Sequence, residues 1–262
     1  MNLNLTGKTA IVCGSTQGIG RATAIELAQM GANVTLMARN EASLQQTLAT
    51  LDTSYGQTHR YLVADFMSTA SVKAAIEQYL GEFPAVHILI NNTGGPAGGP
   101  IIEASPAQFL ATFEMHLINN QILAQAVVPS MKAAGFGRIV NIISTSVKQP
   151  IVGLGVSNTI RWSVASWAKT LSLETGKWGI TVNNVLPGYT KTGRLETVNQ
   201  MRAQATGKAV EEVENQLIAE IPMGRFAEAE EVAAAVAFLC SPAAAAISGI
   251  NIPVDGGKTG SL

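Results

Sequence analysis

The chain has 262 residues, 47% hydrophobic and 13% charged, with 17 basic against 18 acidic residues and a net charge of −1. That balance excludes a disordered chain, which lacks the apolar residues for a core. It also excludes a polybasic binder of nucleic acid or membrane surface, which needs a basic excess or cluster. The length suits one α/β domain, which buries about three-quarters of its unfolded surface and needs neither metal nor disulfide for stability.

Two cysteines, Cys13 and Cys240, cannot form a multi-bridge secreted framework. The start, MNLNLTGKTA, has no basic region followed by an apolar core, so no signal peptide is expected. The longest apolar run, Ala233 to Cys240, is too short to span a bilayer. The expectation is a cytoplasmic protein with no membrane and no nucleic-acid partner.

In chain order, β-rich runs fall at Thr9–Cys13, Val34–Ala38, Tyr61–Ala64, Val86–Ile90, Arg138–Ile143, Ile180–Leu186 and Ile250–Val254. Most are continuously apolar, as strands covered on both faces are. Helical patterns lie between them, near 18–30, 41–51, 69–80, 106–134, 158–177 and 228–240. Such alternation predicts right-handed crossovers and a doubly wound parallel α/β sheet in a single domain spanning 1–262. Residues 193–222, polar and lying between Pro187 and Pro222, read as an inserted helical lid over the substrate.

Cys13-Gly14-Ser15-Thr16-Gln17-Gly18-Ile19-Gly20 follows the first strand and opens the first helix with the spacing G-x-x-x-G-x-G. Glycines allow a tight turn and let the backbone approach a pyrophosphate at the helix N-terminus, where free N–H groups and the helix dipole favour anions. Gly14, Ser15, Gln17, Gly18, Ile19 and Gly20 are therefore candidate dinucleotide contacts; an ordinary βα turn is the plainer reading. At the end of the second strand NAD calls for an acid on the ribose hydroxyls. Here the residues are Ala38-Arg39-Asn40. Arg39 offers a planar fork to a 2′-phosphate, which favours NADP(H) over NAD(H); a solvated surface arginine is the alternative.

This turn, together with Asn91-Asn92-Thr93-Gly94 after the fourth strand, resembles the short-chain dehydrogenase/reductase family over the whole chain. The look is nearest to bacterial β-ketoacyl-acyl-carrier-protein reductases. The resemblance implies a Rossmann-type, seven-stranded sheet and a homotetramer. It gives Asp65 to the adenine, Asn91 and Gly94 to the cofactor border, and Pro187, Gly188 and Thr192 to the nicotinamide carboxamide. The tail from Gly224-Arg225-Phe226 to Val254-Asp255-Gly256-Gly257 looks like the family's C-terminal pattern.

The catalytic positions depart from the family, which uses Asn, Ser, Tyr and Lys. Ser144 matches the serine, but Ser157 stands thirteen residues on where tyrosine belongs, and Arg161 four further where lysine belongs. The helix end Leu171-Ser172-Leu173-Glu174 fixes the register independently, and counting back from Pro129 puts the asparagine at His116. An alkyl hydroxyl is a poorer acid than a phenol. Arg161 lies one turn after Ser157 on the same helix face; it can hold ribose hydroxyls and supply charge to an oxyanion, but does not act as a general acid. His116 is the titrating candidate, or else a buried, hydrogen-bonded helix histidine. Tyr189 reads as a surrogate phenol or a packing aromatic. Lys148 and Lys191 read as solvated loop lysines, and Met201 and Met223 as core fillers. The glycine-rich stretches 94–100 and 153–155 imply open, apolar walls with few side chains to specify a polar substrate.

The leading expectation is an NADP(H)-dependent oxidoreductase acting on a small-molecule carbonyl or alcohol, with the proton drawn from water held by Ser144, Ser157 and Arg161. The alternatives are a nucleotide-binding sensor or assembly protein without turnover, and dehydration or isomerisation assisted by Ser144 and Arg161.

Overall fold

The structure is a computed structural model that describes residues 1–261. Its centre is a seven-stranded parallel sheet in the order β3-β2-β1-β4-β5-β6-β7. The strands are β1 (Thr9–Cys13), β2 (Asn33–Ala38), β3 (Arg60–Val63), β4 (Ile88–Asn91), β5 (Gly137–Ile142), β6 (Ile180–Pro187) and β7 (Asn251–Val254). All seven expected strands form, with ends displaced by one or two residues. Side chains alternate across the pleat. Ala10 and Val12 of β1 therefore enter one core, with α1 (Gly18–Gln29), α2 (Glu41–Leu48) and α9 (Ala229–Cys240). Ile11 and Cys13 enter the other, with α3 (Thr69–Glu82), α5 (Asn119–Ala134) and α6 (Gly155–Thr175). Small residues at one contact, Ala22 of α1 against Ala229 and Ala233 of α9, allow the two helices to approach closely.

The segment expected as one helix over 106–134 is interrupted. α4 (Pro106–Phe113), capped by Ser105 and Gln108 in a reciprocal capping box, gives way to a π-helical turn at Glu114–Ile118 before α5 continues. Turns of this kind gather at functional sites because they loosen the regular backbone ladder and redirect side chains. α5 ends at Gly135, whose φ of 57° is the left-handed conformation a helix C-terminus favours.

Residues 193–222 contain two helices, α7 (Gly193–Thr206) and α8 (Val210–Ala219). They close over a small core of their own formed by Leu195, Ala203, Val213, Leu217, Ile221 and Phe226. Met201 and Met223 correct the expectation of core fillers: they are 47% and 60% exposed, because the apolar face of this helical pair is already filled by the smaller cluster. Among the described residues no helix is long and apolar enough to cross a membrane.

One buried device ties four strands together. The Asn91 amide donates to Asn141 at 2.8 Å, Asn141 donates to Asn184 at 2.8 Å, and Asn184 donates to Asn251 at 2.8 Å. These residues are exact register partners across β4, β5, β6 and β7. An amide carries both a donor and an acceptor, so each middle asparagine satisfies a neighbour on either side. The row runs from the last residue of β4 to the first residue of β7.

Candidate active site

Strand order reverses between β1 and β4, and in an open parallel sheet such a switch point leaves a crevice beyond the carboxyl ends of the strands. A cleft of about 560 Å³ lies there, lined from the ends of six strands. β1 contributes Gly14, β2 Arg39, β3 Asp65, β4 Thr93 and Gly94, β5 Ser144, and β6 Pro187 and Gly188.

At one end is the glycine turn. Gly14 and Gly18 have φ of 58° and 52°, conformations L side chains rarely adopt. A Cβ on Gly20 would stand 2.2 Å from the Gly14 carbonyl oxygen and 2.6 Å from Asn92 Nδ2. Gly20 therefore serves the close packing of turn, helix and β4 loop and does not itself line the cleft. Asn92 Nδ2 donates to the carbonyls of Cys13 and Gly14, holding the turn from behind. Gln17 precedes α1 without a capping side chain, and no acid occupies the first turn, so those N–H groups stay available to an anion.

Of the expected cofactor contacts, Gly14, Gln17, Gly18, Ile19 and Arg39 border this end. So does Asp65, whose carboxylate accepts from the Met67 N–H at 3.0 Å. Gly94, Arg161, Pro187, Gly188 and Thr192 border the remainder. Ser15 and Asn91 are placed differently. Ser15 is fully buried, and its Oγ accepts from the Met37 N–H at 3.0 Å, pinning the turn to β2. Asn91 points into the amide row.

The other end holds three of the four expected catalytic residues. Ser144, Ser157 and Arg161 line the cleft together. Ser144 leaves the end of β5, and its Oγ accepts from the Ser146 N–H at 3.0 Å. That bond uses an acceptor lone pair and leaves the hydroxyl proton for another partner. Ser157 and Arg161 share one face of α6, the helix packed beside β5 and β6. Arg161 is only 8% exposed; its Nη1 donates to the Ile142 carbonyl at 3.0 Å, and its buried Nε has no partner among the described residues. Burial, then the neighbouring Arg194 charge, pushes its pKa down to about 10. It remains a cation at neutral pH.

His116 does not join them. It lies in the π-helical turn, 3% exposed, behind the cleft wall, with Nδ1 2.7 Å from Thr93 Oγ1. Burial and, second, the Arg161 charge hold its pKa well below the usual histidine range. It is therefore neutral, and the reading as a titrating acid at the reacting centre is corrected to the buried helix histidine.

Tyr189 does line the cleft, but it packs edge-on against Phe226 with ring centroids 6.1 Å apart. Its hydroxyl lies 3.5 Å from Arg202 Nη1. Lys191 pairs with Glu228.

The expectation of walls with few specifying polar groups is also corrected: Arg194, Arg202 and Lys258 line the same end. Arg202 had a readable signal, because Leu195, Val198 and Arg202 recur at i, i+3 and i+7 on one face of α7 and all three reach the cleft. Arg194 and Lys258 had none, since their placement comes from contacts with distant chain. Arg194 Nη2 donates to the Pro96 carbonyl at 2.7 Å, tying α7 to the loop after β4.

A family model described as enoyl-(acyl carrier protein) reductase matches residues 14–259. The chain belongs to the short-chain dehydrogenase/reductase family. Among family members it is 31% identical over 255 residues to a 3-oxoacyl-(acyl-carrier-protein) reductase of Vibrio cholerae, covering 97% of this chain and 98% of the relative. It is 32% identical over 261 residues to a tropinone reductase homolog of Arabidopsis thaliana, covering 98% and 94%. The solved structure of L-sorbose reductase from Gluconobacter frateurii, complexed with NADPH and L-sorbose, superposes with a TM-score of 0.93 at 30% identity, covering all of both chains. Membership accounts for the sheet order and the glycine turn.

Proposed function

We propose that the chain is an NADP(H)-dependent oxidoreductase that moves a hydride between the nicotinamide and a small carbonyl or alcohol substrate, with Ser144, Ser157 and Arg161 at the reacting centre. The observation that carries this reading is one continuous cleft bordered at one end by the glycine turn and Arg39 and at the other by those three residues. Relatives named as reductases, and a structural neighbour described with NADPH, support it.

The residues fit the dinucleotide. The glycine turn is a cradle that side chains would fill, and Arg39 is exposed with no carboxylate partner among the described ion pairs. The turn and the α1 N-terminus would take the pyrophosphate, Arg39 a 2′-phosphate, Asp65 the adenine side, Arg161 the ribose hydroxyls, and Thr192 beside Pro187-Gly188 the carboxamide. When bound, the cofactor supplies or accepts the hydride.

Ser144 donates a hydrogen bond from its hydroxyl to the substrate oxygen. Arg161 lends a fixed positive charge as negative charge develops there, an interaction strengthened by its shielded position. Ser157 leaves room for water where a phenol ring would otherwise stand. In reduction, the proton reaches the substrate oxygen from water held by Ser144 and Ser157, which takes up a proton from bulk solvent in its place, since neutral His116 lies behind the wall.

A cofactor-binding protein without turnover is the second reading, favoured by the lack of a phenol at position 157. Titrating NADPH and NADH by fluorescence, alongside an NADPH-oxidation screen over ketones, thioesters and keto sugars, separates the two. The reductase reading requires tighter binding of NADPH than NADH and turnover of at least one carbonyl class. Arg39→Ala should weaken NADPH binding by about tenfold or more, the loss of one charge-assisted hydrogen bond, and leave NADH binding unchanged. Equal affinities for the two cofactors overturn the NADP assignment.

A cytoplasmic homotetramer completes the proposal. Leu110, Trp162 and Leu173, on α4 and α6, are 65%, 49% and 73% exposed, and association of copies would cover them.

A further inference from the structure

The charged groups of the cleft are distributed unevenly. Its lining contains five cations, Arg39, Arg161, Arg194, Arg202 and Lys258, and a single carboxylate, Asp65. Arg39 and Asp65 lie at the ends of β2 and β3, on the adenosine side. The other four cations gather at the far end, without any carboxylate in the lining there. Lys258 has an acid partner, Glu220. Arg161, Arg194 and Arg202 have none among the described ion pairs. Arg161 and Arg194 are near enough for one charge to oppose the other.

Like charges held together without a counter-charge destabilise the ligand-free fold, and a bound anion relieves that repulsion. The glycine turn and α1 N-terminus already meet the needs of a pyrophosphate, Arg39 those of a 2′-phosphate and Arg161 those of the ribose hydroxyls, so the cofactor leaves Arg194, Arg202 and Lys258 unused. Within that cluster, Tyr189 is flanked by two cations. Arg202 lies 5.7 Å and Lys258 Nζ 5.2 Å from its ring centre, and Arg202 Nη1 is 3.5 Å from its hydroxyl. A guanidinium fork, a phenolic hydroxyl and an ammonium thus gather around one ring on the cleft wall. Ile151, Leu154, Leu195 and Val198 supply apolar wall beside it.

We propose that the substrate is a small carboxylate with an apolar body, whose carboxylate is held by Arg202 with Tyr189 and Lys258 while its reacting carbon faces Ser144 and Arg161. A planar guanidinium matches a carboxylate through two parallel hydrogen bonds, and the apolar wall matches a short carbon skeleton. This deepens the reductase reading and rests on it for the reaction, but the acid site is defined by binding alone.

The test is calorimetric titration of 2-oxobutanoate, acetoacetate and levulinate, each against its methyl ester, into the full-length protein with and without NADP⁺. At least one acid should bind about tenfold or more tightly than its ester, the scale of a charge-assisted hydrogen bond. The preference should shrink with added salt, which screens exposed charge. Arg202→Gln should abolish it and Arg202→Lys retain part of it, both with unchanged NADP⁺ affinity. Binding of no acid, equal binding of acid and ester, or an Arg202→Gln variant that loses NADP⁺ instead of the acid would overturn the proposal. Failure of every acid and ester to oxidise NADPH would count against the reductase reading, while the acid–ester difference would still report on the site.

Discussion

Replacing Arg161 with methionine should stabilise the cofactor-free protein and weaken its response to cofactor. The guanidinium is buried, has no acid partner among the described ion pairs, and has its pKa pushed down to about 10 by burial and, second, by Arg194. At about 1.4 kcal/mol per pKa unit, the charged form costs on the order of 3 kcal/mol in the folded chain. Methionine also forfeits the 3.0 Å hydrogen bond to the Ile142 carbonyl, a loss of about 1–2 kcal/mol. The balance is a gain of about 1–2 kcal/mol. Above pH 10 the folded chain gives up the Arg161 proton before the unfolded chain does, so the Arg161 penalty is relieved as pH rises past 10 and is fully present below it. Urea unfolding at neutral pH, followed by tryptophan fluorescence at one protein concentration, measures the gain. NADP⁺ at a hundred times its dissociation constant should add about 2.7 kcal/mol to the wild type and less to the variant. A cofactor-free variant less stable than wild type by more than about 1 kcal/mol, or one with an undiminished response to NADP⁺, would refute this account of Arg161.

Asn141→Leu should destabilise by about 2–5 kcal/mol, because it strands the Asn91 donor and the Asn184 acceptor in the sheet; chemical denaturation showing a loss under about 1 kcal/mol would count against the amide row. Wild-type stability should fall as pH drops below 6.5, since the unfolded chain takes up a proton that buried His116 refuses. His116→Asn should flatten part of that slope, leaving the share due to His87, whose pKa is also lowered by burial and then by Lys8; an unchanged slope in acid-unfolding curves would sink the assignment. Sedimentation velocity at micromolar concentration should report four copies, and charged substitutions at Leu110 and Trp162 should shift the distribution toward smaller species. A wild-type monomer would exclude the tetramer.

The sequence alone carried the element types and the cofactor end of the cleft. Continuously apolar runs such as Thr9–Cys13 become strands covered on both faces, because the burial of such a run follows from its own composition. The glycine spacing was legible for the same reason: a tight turn into a helix N-terminus is local chemistry, set by residues within a few positions of one another. The thirteen-residue and four-residue spacings that set Ser144, Ser157 and Arg161 in register likewise brought all three to one cleft.

Only the tertiary structure decided which way individual side chains face. Ser15 sits inside the glycine motif yet turns to Met37, 22 residues away. His116, expected among the catalytic residues, lies behind the wall in the π-helical turn beside Thr93. The amide row joins Asn91, Asn141, Asn184 and Asn251 across gaps of 43 to 67 residues, and the far cations come from α6, α7 and the chain after β7. These features depend on contacts between segments remote in sequence, where packing and desolvation select one orientation of a side chain whose local pattern permits several.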